Sequence, residues 1–128
     1  MDSDTMRFST YNNILVPIDF ASHSNALVYL ALDIADPCSS FIHLVHIVNA
    51  GNLPALPEGR EISQEISAIG IERFVRIMFR LSKIKDTIED HNSSIIVKVH
   101  VCRSTKMQRA IEWFANRLST DAIALAMD

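Results

Sequence analysis

Ile14-Leu15-Val16-Pro17-Ile18-Asp19-Phe20 decides the fold: an apolar strand is stopped by proline and then delivers a carboxylate where a helix begins. Such a segment marks a strand end that faces a ligand. The run Phe41 to Val48 is a second buried strand, so the first fifty residues form one βαβ unit. In a parallel sheet ligands bind outside the carboxyl ends of the strands, which is where Asp19 falls.

Between these strands, Ser22 or Ser24 can cap a helix that runs to about Ala35, with Leu27, Leu30, Ala31 and Ile34 as its core stripe. Asp36-Pro37 ends it. Prolines and glycines between Asn49 and Gly59 make a long loop. A second helix follows from Glu61 to about Asp90, carried by Ile62, Ile66, Ile69, Phe74, Ile77, Leu81, Ile84 and Ile88, with Gly70 as its weak point. Ile71, Val75, Met78 and Phe79 widen the apolar face, either to reach a partner or to curve over a large core.

Ile95 to Val101 is a third strand, Gln108 to Leu118 a third helix with Ile111, Phe114, Ala115 and Leu118 on one side, and Ala122 to Met127 a fourth strand. Alternation of strand and helix throughout predicts a parallel sheet covered by helices on both faces.

With 128 residues and 48% hydrophobic composition, the chain forms one domain able to bury roughly two thirds of its unfolded surface. A net charge of −3 provides no basic field for nucleic acid. No apolar run approaches the ~20 residues of a membrane helix, and Met1 to Thr10 has no apolar signal region. Two distant cysteines, Cys38 and Cys102, suit a reducing cytoplasm.

Several residues are candidates for chemistry. Asp19 can accept hydrogen bonds from a sugar hydroxyl or a base amine, or can simply favour a helix N-terminus electrostatically. Arg103-Ser104-Thr105-Lys106, at a strand-to-helix turn, offers cations, hydroxyls and helix N–H groups to a phosphate, or is a solvated helix start. His43 and His46, three apart on a strand, face opposite sides and cannot share a metal. His46 reads as a buried histidine satisfied by backbone, whereas His43 and His100 read as partner or helix contacts. Ser22-His23-Ser24 is capping chemistry, and Trp113 and Phe114 are core or interface residues. Motifs for a P-loop, a serine nucleophile elbow and a zinc protease are missing, so no catalytic set emerges.

Asn13 to Phe20, the helix with Ser24 and Ala26-Leu27, Leu44-Val45-His46-Ile47-Val48, Ile96 to Val101, Ala110 to Ala115 and Asp121 to Ala126 together resemble the universal stress protein family. The resemblance implies an α/β three-layer sandwich, flavodoxin-like or Rossmann-like, of the adenine nucleotide alpha hydrolase type. Its parallel strand order is 3-2-1-4-5, here 3-2-1-4 with the fifth strand missing. Residues 1–12 are then an N-terminal extension, and 13–128 a C-terminally incomplete domain, a fragment or the first half of a tandem pair.

In family members that bind ATP, the positions matching Pro17, Ile18 and Asp19 line the adenine and ribose pocket. The position matching Ile47 packs on the base, and those matching Leu125 and Ala126 begin a glycine-rich phosphate segment. Ala126 stands at the first glycine, where a side chain impedes close approach of backbone to phosphate. The resemblance therefore implies a noncatalytic binding or signalling module with weak or absent ATP binding. Its alternatives are an ATP-binding protein with slow hydrolysis and a structural dimerisation module. The implied partners are a second copy or a tandem domain of the same kind, and an adenine nucleotide.

Overall fold

The computed structural model describes residues 10–20, 24–49 and 70–125. Four strands alternate with three helices: β1 (Asn13–Pro17), α1 (Ser24–Ile34), β2 (Ser40–Asn49), α2 (Ile71–His91), β3 (Ile95–Ser104), α3 (Met107–Arg117) and β4 (Ala122–Ile123). The strands form one parallel sheet in the order β3-β2-β1-β4, as predicted. β2 and β3 pair along their whole lengths, from Ser40 opposite Ile95 to Asn49 opposite Ser104. β1 pairs with β2 from Asn13 opposite Phe41 to Pro17 opposite Val45.

Alternation along the strands divides the core between two faces. Ile14, Val16, Ile42, Leu44 and Val97 lie on one side and pack with Leu27, Ala31, Phe74, Leu81 and Ile88 from α1 and α2. Leu15, Val45 and Ile47 lie on the other and meet Ala110 and Phe114 of α3. Helices thus cover both faces. Each fully buried aliphatic side chain contributes roughly 1.5–3 kcal/mol, so the larger α1/α2 side holds most of the hydrophobic stabilisation.

Turns are closed by local polar chemistry. Asn92 ends α2 by donating its backbone N–H to Ile88 O at 3.0 Å, and its own carbonyl receives Ile95 N–H at 3.1 Å as β3 begins. Its side chain also donates to Pro37 O at 2.9 Å, tying this turn to the one after α1. At the far corner the Asp121 carboxylate accepts the backbone N–H groups of Asn12 and Asn13 at 3.1 and 3.0 Å. Tyr11 is already engaged, donating its N–H to Ile34 O at 2.9 Å.

Some expected details differ. In α1 the buried apolar residues are Leu27, Val28 and Ala31, while Leu30 is 42% exposed, because the helix is rotated toward Val28 relative to the predicted stripe. Gly70 is not inside a described helix but immediately precedes α2 at φ 98°, a left-handed value that suits glycine. The expected turns between Glu61 and Ile69 lie outside the described residues, as does the long loop. Within α2, Phe74, Ile77, Leu81 and Ile88 are buried as predicted, and Ile71, Val75 and Phe79 are exposed. Met78 instead packs partly against the core. β4 is shorter than predicted, although Ala124 still donates its N–H to Leu15 O at 2.9 Å.

Candidate functional site

The carboxyl end of β1 leads with Pro17, which is half-buried, and Ile18, which is buried and donates its N–H to Val45 O at 2.7 Å. Asp19 emerges exposed. Its Oδ1 accepts a hydrogen bond from Ser24 Oγ at 3.0 Å, so the first residue of α1 is tied to the strand end it follows. Ser22 or Ser24 was expected to cap the helix; the Ser24 hydroxyl, at the first residue of α1, donates to Asp19. Ser22 and His23 lie outside the described residues.

Phe20 turns the chain with φ 64°, an uncommon value for a bulky residue. Its ring packs against His46 with centroids 4.6 Å apart, and the Arg80 guanidinium lies 4.1 Å from its centroid. His46 Nδ1 is 2.6 Å from Ile18 O. A carbonyl only accepts, so Nδ1 carries the proton of the neutral ring. Burial is the main cause holding the His46 pKa below its usual value; Arg73 and Arg80 add to this, while the Ile18 carbonyl and Asp19 oppose it. The expectation of a buried, backbone-satisfied His46 is met in part: Nδ1 is satisfied by backbone, and the residue is half-buried.

Leu125 is 49% exposed, and the β1–β4 register carried onward brings it level with Pro17. Pro17, Ile18, Asp19 and Leu125 therefore gather at one sheet end. Ile47 shares that end, but it is 7% exposed and packed beneath α3 with Leu15, Val45 and Phe114. Ala126 lies outside the described residues.

The Arg103 to Lys106 turn does not present its side chains together. Arg103 is 5% exposed at the end of β3, on the α1/α2 side, whereas Ser104 falls on the other. The Ser104 hydroxyl accepts Lys106 N–H at 3.0 Å and donates to Lys106 O at 3.1 Å, closing the turn on itself. Among the described residues, no group of three or more His, Cys, Asp or Glu side chains could hold a metal ion.

A second polar constellation sits on the α3 side of the sheet. Asn13 Nδ2 donates to Leu118 O at 2.7 Å and to Ser119 O at 3.1 Å. Asn13 Oδ1 must then accept from His43 Nε2, 2.7 Å away, which leaves His43 Nδ1 to accept from His100 Nε2 at 3.0 Å. Every proton in this relay has one direction. Burial lowers the His43 pKa, helped by Lys98, and burial with the neighbouring His43 and Lys98 lowers that of His100 to about 4. Strand parity could have placed Asn13, His43 and His100 on one face. Their pairing needed the register, because His43 sits opposite Lys98 and only diagonally near His100.

The chemistry at the β1 end is that of hydrogen-bond acceptance: an exposed carboxylate steadied by a hydroxyl, beside a ring and a guanidinium already in contact.

The model of the universal stress protein family matches residues 10–127. No curated protein matches the chain. Universal stress protein UspA from Lactobacillus plantarum superposes with a TM-score of 0.66 at 15% identity, over 91% of this chain and 77% of that one. Hypothetical protein MJ0577 does so with a TM-score of 0.63 at 20% identity, over 89% of this chain and 73% of that one. Protein Rv1636 from Mycobacterium tuberculosis H37Rv gives 0.51 at 14% identity, over 91% of this chain and 71% of its own. At these identities the likeness is one of fold.

Proposed function

The chain belongs to the universal stress protein family, and from that premise we propose that it is a noncatalytic binding or signalling module of the stress response that holds adenine nucleotide weakly or not at all. One observation carries the reading: groups at the β1 end that would face a nucleoside are engaged with one another. Asp19 Oδ1 is held by Ser24, the Phe20 ring contacts His46 and Arg80, and Ile47 is buried beneath α3. A base seeking Ile47 has to displace packed side chains, at the cost of their contacts. Ala126, at the position of the family's first phosphate-segment glycine, adds a side chain where backbone should approach.

The second reading is an ATP-binding protein with slow hydrolysis, and the exposure of the Asp19 carboxylate favours it. Calorimetric titration of the full chain with magnesium-ATP separates the two. The expected trace shows no binding at micromolar nucleotide. Micromolar affinity that disappears in Asp19→Ala replaces the proposal with the second reading. A cytoplasmic location agrees with two cysteines far apart in the chain, Cys38 exposed and Cys102 half-buried. Among the described residues no helix is long and apolar enough to cross a membrane. The partner best suited to such a module is a second copy or a tandem domain of the same kind.

A further inference from the structure

We propose that two copies of the chain associate through α2, packed antiparallel about the exposed stripe Ile71, Val75 and Phe79. These side chains are 70%, 58% and 61% exposed. Spaced four residues apart, they make one continuous apolar ridge on the helix. Its position in the fold follows from Glu89, which lies about five turns beyond Ile71 on the same line of the helix. Glu89 Oε2 accepts the Val97 N–H at 3.1 Å, so this flank of α2 overhangs the outer edge of β3.

The occupant is identified by charge. Glu72 and Lys83 are both exposed, stand about three turns apart and border the ridge on the same side. Their midpoint falls within about half a residue of the midpoint of Val75 and Phe79, by the numbering of a regular helix. A two-fold axis there sets Val75 and Phe79 of each copy against those of the other. It also places Glu72 of each copy opposite Lys83 of the other, as an isologous contact requires. Lys83 already leans over the Phe79 ring, with Nζ 4.9 Å from its centroid, so its charge sits at the rim of the ridge.

Pairing through the edge of β3 is the competing route for a second copy, and its lower part is closed. Ile95 N–H is taken by Asn92 O and Val97 N–H by Glu89, which blunts the edge in the manner of strands that avoid sheet extension. The helix ridge beside it stays exposed. The association needs no nucleotide, and so stands apart from the reading of the β1 end.

Sedimentation velocity on the full chain tests it, with the far-ultraviolet spectrum and melting curve as checks on folding. The wild type is expected to dimerise reversibly, and Val75→Glu with Phe79→Glu to be monomeric yet folded. Glu72→Lys alone and Lys83→Glu alone should each weaken the dimer by about tenfold, since each places like charges together twice. The two changes combined should restore it. A monomeric wild type overturns the proposal, as does a dimer that survives the two glutamates. Failure of the combined charge exchange to restore association equally overturns the antiparallel arrangement.

Discussion

The two faces of the sheet are built on different principles. Beneath α1 and α2, Ile14, Val16, Ile42 and Leu44 are fully buried against apolar side chains. Beneath α3 the apolar group is smaller, and the amino-terminal part of that face is completed by the Asn13–His43–His100 relay. One side draws its stability from area removed from water, which is tolerant of shape and insensitive to pH. The other draws part of it from hydrogen bonds with fixed donors, which admit one arrangement and one protonation state. The contrast places volume sensitivity chiefly on the first face and most of the acid sensitivity on the second, with His46, lowered by burial, as the first face's own share of it.

The largest expected effect lies on the apolar face. Leu81 is wholly buried at the centre of α2, and Leu81→Ala should cost about 2–5 kcal/mol in denaturant unfolding through lost transfer energy and the cavity left behind. Leu81→Met, which conserves volume, should cost less than about 1.5 kcal/mol. If the two variants prove equal, the packing account of this face fails.

Next comes the relay. Asn13→Leu removes the donors to Leu118 O and Ser119 O and strands the His43 Nε2 proton, for an expected loss of about 1–3 kcal/mol. The variant should also loosen the corner where α3 meets β4, read as faster amide exchange at Ser119 to Asp121. A loss confined to global stability, with that corner unchanged, would assign Asn13 a packing role only.

The pH response follows with a definite sign. His100 titrates at about 4 in the folded protein against an ordinary 6.5, so between these values the unfolded chain binds the extra proton. Stability rises with pH wherever the unfolded state carries more protons. The contribution is therefore complete above 6.5 and is lost as pH falls toward 4. His43 and, on the other face, His46 are lowered in the same direction and act in the same sense. Unfolding midpoints measured across this range should fall with acidity in the wild type and flatten in His100→Phe. An unchanged slope in that variant would remove the relay as the source.

Much of the fold was legible because strand parity and the proline after Val16 are local signals. Parity separated His43 from His46, and each does lie on its own face, His46 against Ile18 O and His43 against Asn13. The exposed ridge of α2 was equally readable from spacing, since Ile71, Val75 and Phe79 fall outside the stripe of Phe74, Ile77 and Leu81. What escaped depended on distance in sequence. His43 and His100 are brought together by register, and Leu30 gave way to Val28 through a small rotation of α1 that tertiary contact selects. At the candidate site Asp19 was placed correctly at a strand end. The burial of Ile47 was not legible, because it depends on where α3 seats over β2.

The smallest effect sharpens the contrast at the rim of the apolar face. Glu89 is held below the usual carboxylate range first by its hydrogen bond from Lys85, at 2.8 Å, and next by the Val97 N–H. A carboxylate lowered in this way contributes stability that is present above the ordinary 4.5 and lost as pH falls through the folded value. Its acid loss thus begins where that of the histidines is ending. Glu89→Gln keeps an acceptor for Val97 while removing the ion pair, so near neutrality it should cost only about 0.3–0.5 kcal/mol, as expected for an exposed pair four residues apart on a helix. In the His100→Phe background, the remaining acid slope below 4.5 should shrink when Glu89→Gln is added. Were Glu89→Gln instead to flatten the slope between 4.5 and 6.5, the carboxylate and not the histidines would be the source of acid sensitivity in that range.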